Sequence, residues 1–136
     1  MTNKGATTRR RETKRPARGV RYAIGERGER PWGVWEVLAT GDHYAVKRLV
    51  IKPGARISLQ RHRHRSETWI IAEGSARVQI GDAVTVAEAG ASLQIPRQAV
   101  HRLANGGRRP LVVIEVQRGA LLDEQDIVRL DDDHGR

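Results

Sequence analysis

Residues 54–74 read GARISLQRHRHRSETWIIAEG, and within this stretch Gln60, His62, His64 and Glu67 fall inside eight residues. In a β-strand, residues i, i+2 and i+4 share a face. Gln60, His62 and His64 therefore start on one face. Glu67 lies five residues beyond His62, the wrong parity for one straight strand. The chain must turn between them, and Arg63 to Ser66 can make that turn. Glu67 then comes from the next strand, TWIIA, and can point back at the imidazoles. Neutral imidazole, amide oxygen and carboxylate together suit a divalent first-row metal. Downstream, GASLQIPRQAVHRLAN (90–105) adds another imidazole, His101, after a turn marked by Pro96.

Short strand signals surround this stretch: VWEVLA, HYAVKRLVI, RISLQRH, TWIIAE, ARVQI, AVTVAE, SLQI, AVHRLA, LVVIEVQ and DIVRL. Turns rich in Gly, Asp and Asn separate them, and no segment has a helical period. Strands at this spacing indicate an all-β sandwich or barrel. YAIGERGERPWG (22–33) reads as a loop leading into it.

The 136-residue chain fits one domain with a tail. Residues 1–21 contain eight Lys or Arg and one acid, so they carry +7 of the formal +9 and leave the remainder near +2. Few apolar residues and high like charge predict a disordered basic arm over 1–21 and one folded domain over 22–136. The arm reads as a solubilising extension first and a nucleic-acid contact second, because no aromatics interleave with its charges. The absence of Cys removes disulfides and thiol catalysis and fits a cytoplasmic protein. No apolar run approaches a membrane span, and the N-terminus lacks the apolar stretch of a secretory signal.

The two stretches read G-x5-Q-x-H-x4-E-x6-G and G-x5-P-x-Q-x2-H-x3-N. Both resemble the paired signatures of the cupins, with Gln60 in place of the first His and Gln98 in place of a Gly. RPWGVWEVL (30–38), SLQRHRHRSETW (58–69), IEVQRG (114–119) and DIVRLDDDHGR (126–136) resemble the cupin module of type II mannose-6-phosphate isomerases. That module is often the C-terminal part of a mannose-1-phosphate guanylyltransferase. The resemblance implies a double-stranded β-helix (jelly-roll) barrel, a homodimer and one divalent ion. Gln60, His62, Glu67 and His101 are its expected ligands. Zinc is the first expectation, and manganese, nickel, cobalt or iron suit the same donors.

The activity implied is aldose–ketose isomerisation of a sugar phosphate. Arg65 and Lys47 would hold the phosphate, with Arg30 and Arg102 as further candidates. His64 lies in the turn, where it lines the pocket, acts as general base, or is simply solvated. Arg61 and Arg63 alternate away from the metal face and read as solvated exterior. Asp126 and Arg129 read either as part of the family-like run or as a surface ion pair on the closing strand. His43 and His134 read as structural. Thr68 stands where those isomerases carry an imidazole, which favours an alternative: a metal- and sugar-binding cupin without turnover. An oxygen-activating cupin comes third, since its site has more imidazoles. No Gly-rich phosphate loop or βα unit is present, so this chain is not itself the nucleotidyltransferase.

Overall fold

The computed structural model describes residues 19–134, and expectations for residues 1–18 lie outside it. Thirteen strands and no helix occur among the described residues. In order they are β1 (Gly19–Val20), β2 (Arg27–Arg30), β3 (Gly33–Thr40), β4 (Tyr44–Ile51), β5 (Leu59–Arg61), β6 (Arg65–Glu73) and β7 (Ser75–Ile80). Then follow β8 (Ala83–Glu88), β9 (Ser92–Ile95), β10 (His101–Ala104), β11 (Leu111–Gly119), β12 (Leu121–Leu122) and β13 (Val128–Asp131). One six-stranded sheet runs β2-β3-β4-β11-β6-β9, and one five-stranded sheet runs β13-β5-β10-β7-β8. Both feed a single core, with Trp35, Leu49, Trp69 and Ile71 from the first sheet and Ala76, Val78 and Leu103 from the second.

The strands of the six-stranded sheet alternate with period two, but their inward residues change character along the strand. On β11 the buried positions run Leu111, Val113, Glu115, Gln117; on β6 they run Ile71, Trp69, Glu67, Arg65; on β4 they run Ile51, Leu49, Lys47. Glu115 pairs with both Lys47 and Trp69, and Gln117 pairs with Glu67. The barrel interior is thus apolar at one end and charged at the other. Burying charges costs more than burying hydrocarbon unless each is paired, so this end is where function is to be sought.

Two expectations about the N-terminal region are corrected. Residues 22–33 are not all loop: β2 pairs with β3 in a hairpin. Gly28 is not loop punctuation there but a strand residue lying against the Trp35 indole, where any Cβ would collide. The boundary of the arm at residue 21 is also too late. Gly19 and Val20 pair in parallel with Leu121 and Leu122, and the Arg21 amide donates to the Leu122 carbonyl at 2.8 Å.

Candidate metal centre

The turn predicted after His62 exists, and a distant residue makes it. β5 ends at Arg61 and β6 begins at Arg65. The Asp126 carboxylate accepts the backbone N–H of Arg63 and of His64, each at 3.0 Å. This bend cancels the parity argument for His64. Its side chain is exposed and faces an outer groove beside Asp123 and Val128. The structure does not bring His64 to the ligands, and it lines no part of the interior cavity.

His62, Glu67 and His101 do converge, all buried, with ligand atoms lying within 4.8 Å of one another. His62 Nε2 is 3.2 Å and His101 Nε2 3.8 Å from the Glu67 carboxylate. The other nitrogen of each ring is engaged by the backbone: His62 Nδ1 contacts the Asp126 carbonyl at 2.7 Å and His101 Nδ1 the Ala99 carbonyl at 2.9 Å. A carbonyl can only accept, so both Nδ1 atoms carry the proton and both Nε2 lone pairs point inward. This is the tautomer that a metal needs. Gln60 stands directly opposite His101 across the β5–β10 ladder. Its NH2 group is engaged by Ser58 Oγ and the Ser58 carbonyl, which leaves the amide oxygen as the end able to meet an ion. Two imidazoles with fixed lone pairs, a carboxylate and an amide oxygen fit a divalent ion.

Electrostatics favours the same state. Burial pushes the His62 imidazole down to about 4, against the pull of Glu67, so it is neutral near pH 7. Burial raises the Glu67 carboxyl, but Arg65 and the two imidazoles outweigh it and hold the group well below the usual carboxylate range. Arg65 Nε donates to Glu67 at 2.8 Å and its Nη2 lies 3.3 Å from His62 Nε2. The guanidinium therefore shares Glu67 with any ion placed there.

Beside the ligands lies a cavity of about 70 Å³ whose lining includes Gln60, His62, Arg65, Lys47, Arg30, Glu115, Glu124 and Arg129. Lys47 is 2 % exposed. Its ammonium sits 3.9 Å from the Tyr22 ring centre and 4.2 Å from that of Trp35, and bonds Glu124 at 2.8 Å. Lys47 faces inward, while Arg48 faces outward to Glu36. Arg30 also reaches Glu124, at 3.5 Å.

Other expected residues fall elsewhere. Arg102 is buried but bonds the Ile57 carbonyl and Asp131, so it pins β13 to its neighbours and is no anion ligand of the cavity. Asp126 is no surface ion pair, since it caps the His62–Arg65 bend. Arg61 is half-buried, with its Nε wholly out of solvent, unlike the exposed Arg63. Thr68 lies on the outer face, where its hydroxyl donates to Gln94 at 2.9 Å. The departure at Thr68 therefore removes nothing from the interior.

Three cavity or cluster residues had no role assigned from sequence: Glu115, Gln117 and Glu124. Burial and the neighbouring Glu67 push the Glu115 carboxyl up to about 7. Alternation in LVVIEVQ does not mark the first two, because Val112, Ile114 and Val116 make the opposite face the more apolar one. Nothing local marks Glu124.

A buried two-His, one-Glu cluster inside a double-stranded β-helix defines a cupin. Solved structures agree on the fold. A double-stranded β-helix protein from Klebsiella pneumoniae is 23 % identical, with a TM-score of 0.63, over 83 % of this chain and 91 % of that one. Oxalate decarboxylase from Bacillus subtilis is 22 % identical, with a TM-score of 0.68, over 77 % of this chain and 29 % of that one. Residues 21–132 match the model of the mannose-6-phosphate isomerase C-terminal family, and the chain belongs to that family.

Among curated relatives, the xanthan biosynthesis protein XanB of Xanthomonas campestris is 48 % identical over 107 residues, which is 79 % of this chain and 23 % of the relative. The alginate biosynthesis protein AlgA of Pseudomonas aeruginosa is also 48 % identical, over 79 % of this chain and 22 % of its own length. The mannose-1-phosphate guanylyltransferase of Escherichia coli is 43 % identical over the same shares. The chain spans less than a quarter of the length of each.

Proposed function

We propose that this cupin is a metal-dependent aldose–ketose isomerase for a phosphorylated hexose of the mannose 6-phosphate and fructose 6-phosphate type. The observation that carries this reading is that two of the candidate metal ligands, Gln60 and His62, and the buried ammonium of Lys47 line one cavity. Gln60, His62, Glu67 and His101 would hold a divalent ion. Such an ion supplies Lewis-acid polarisation of the oxygens on the reacting carbons. Lys47 and Arg30 would bind the phosphate, and Arg65, already tied to Glu67, would neutralise charge between the two sites. Isomerisation moves one proton between C2 and C1 and one between their oxygens, with no net change in redox state. Glu115 lines the cavity and bonds Gln117 and Trp69, so its carboxyl is placed to carry the carbon-bound proton.

The placement of His64 favours a second reading, a metal- and sugar-binding cupin without turnover, because the cavity then has no imidazole apart from its ligands. A coupled assay decides between them. Fructose 6-phosphate formed from mannose 6-phosphate with one of several divalent metals supports the isomerase. Binding without product supports the binding module. A homodimer is part of the proposal, since Val34, Val50, Val112, Ile114 and Ile70 leave apolar surface on the outer face of the six-stranded sheet. Light scattering that gives a monomer mass at micromolar concentration rules the dimer out.

A further inference from the structure

Lys47 is a buried cation whose carboxylate partner in the cavity comes from an irregular segment. Glu124 lies in the turn between β12 and β13. Its Oε2 accepts from Lys47 Nζ at 2.8 Å and from the Tyr22 hydroxyl at 2.9 Å, while Oε1 lies 3.5 Å from Arg30. Two cations and a hydroxyl thus converge on one carboxylate, the donor set expected around a ligand's phosphate or carboxylate. Burial raises the Glu124 carboxyl, but Lys47 and Tyr22 outweigh it, and the net shift is downward, so the group is ionised.

We infer that Glu124 is an intramolecular occupant of the ligand's anion subsite, and that an incoming oxyanion must displace it from Lys47, Arg30 and Tyr22. The inference rests on the anion-binding reading of this cavity given above and adds the competitor built into the chain. Three observations support it. The Glu124 side chain is 34 % exposed, whereas that of Lys47 is 3 % exposed, so the carboxylate can reach solvent and the ammonium cannot. The segment is fastened on both sides of Glu124, by fully buried Leu122 and by Asp126 at the His62–Arg65 bend. Asp123 is held as well, its carbonyl accepting from the Asp126 amide and its carboxylate from the Gln125 amide, each at 3.0 Å, so the movement required is that of the Glu124 side chain alone. With Glu124 in place the cavity measures about 70 Å³, and the Glu124 side chain forms part of its wall. Releasing Glu124 frees the cations and enlarges the space in one motion.

The test is calorimetric titration of the full chain with inorganic phosphate. If Glu124 holds the subsite about nine-tenths of the time, it weakens apparent affinity by about tenfold. Glu124→Gln keeps the shape and removes the charge, so it should bind phosphate about tenfold more tightly than the wild type. Adding Lys47→Met to that variant should abolish the gain. Equal or weaker binding by Glu124→Gln, no binding by either protein, or a gain that survives loss of Lys47 overturns the inference. Should Glu124→Gln not fold, Glu124→Asp, which withdraws the carboxylate by one methylene, is held to the same criterion. Turnover is read separately. Tighter phosphate binding without fructose 6-phosphate formation defeats the isomerase and leaves this inference standing. Turnover with unchanged phosphate affinity does the reverse.

Discussion

The indole N–H of Trp69 is shared between two carboxylates, 3.0 Å from Glu67 Oε1 and 3.2 Å from Glu115 Oε1. The two acids are thereby held close together inside the barrel, and they divide their roles. Glu67 has Arg65 beside it and keeps its charge. Glu115 has burial and Glu67 against it and is raised from 4.5 to about 7.

That asymmetry predicts a pH-dependent stability. Between pH 4.5 and 7 the folded state keeps a proton on Glu115 that the unfolded chain has lost, so this group's contribution falls as pH rises through the window. Glu115→Gln cannot ionise and escapes the loss. Turning the Gln117 amide would bring its Oε1, now without a partner, to the new NH2 group. Relative to wild type, the variant should gain on the order of 2 kcal/mol between pH 5 and pH 8. Urea denaturation of both metal-free proteins at the two pH values measures it. A difference independent of pH contradicts the assignment.

The metal set predicts one divalent ion per chain. His62→Ala combined with His101→Ala should abolish stoichiometric binding, because Glu67 and Gln60 alone offer two oxygen donors. Elemental analysis after dialysis reads the result, and one ion retained by the double variant counts against the site.

Gln98 occupies the position where the cupin signature has Gly, and its φ is 68°. This left-handed conformation costs a residue with a Cβ about 1–2 kcal/mol, partly offset by the greater unfolded-state freedom of Gly. Gln98→Gly should therefore stabilise by about 0.5–1 kcal/mol. The Gln98 amide donates to the His62 carbonyl at 2.9 Å, so the same variant should leave the ligand beside it in place. A lower denaturation midpoint would contradict the strain argument.

The convergence of His62, Glu67 and His101 is legible because spacing within strands is local and their chemistry is unusual for a barrel interior. The core face of β11 is not legible, for the wholly apolar Val112, Ile114 and Val116 face outward while Glu115 and Gln117 face inward with Leu111 and Val113. Lys47 is not settled by parity, because Val46, Arg48 and Val50 on one face read like Ala45, Lys47 and Leu49 on the other. His64 is not legible either, because its direction is set by the Asp126 carboxylate, which arrives from the far end of the chain. Glu124 is hidden for the same reason: its partners Tyr22, Arg30 and Lys47 all lie more than seventy residues before it. Gly28 misleads differently, since a glycine under an indole and a glycine in a loop look alike in sequence.

Truncation separates the arm from the fold. Removing residues 1–18 should leave the metal site and the denaturation midpoint unchanged. Removing residues 1–21 also deletes β1, including the bond from the Gly19 amide to the Ala120 carbonyl at 2.6 Å and that from Arg21 to Leu122 at 2.8 Å. Each such bond is worth about 1 kcal/mol net. The longer deletion should destabilise by roughly that amount or twice it, as read by chemical denaturation. Equal stability of the two truncated proteins would show that β1 contributes nothing.

The parallel pairing of β1 with β12 also fixes where the preceding chain is attached. Gly19 lies opposite Leu121, three residues before the carboxylate that fills the anion subsite, and seven Lys or Arg precede Gly19. That charge is therefore attached beside the strand that leads directly into the Glu124 turn. Long-range attraction of this kind acts on the rate of encounter and fades beyond a Debye length of about 10 Å at 0.1 M salt. Anionic ligands should therefore associate more slowly as salt rises, and removal of residues 1–18 should flatten that dependence while leaving the rate of escape unchanged.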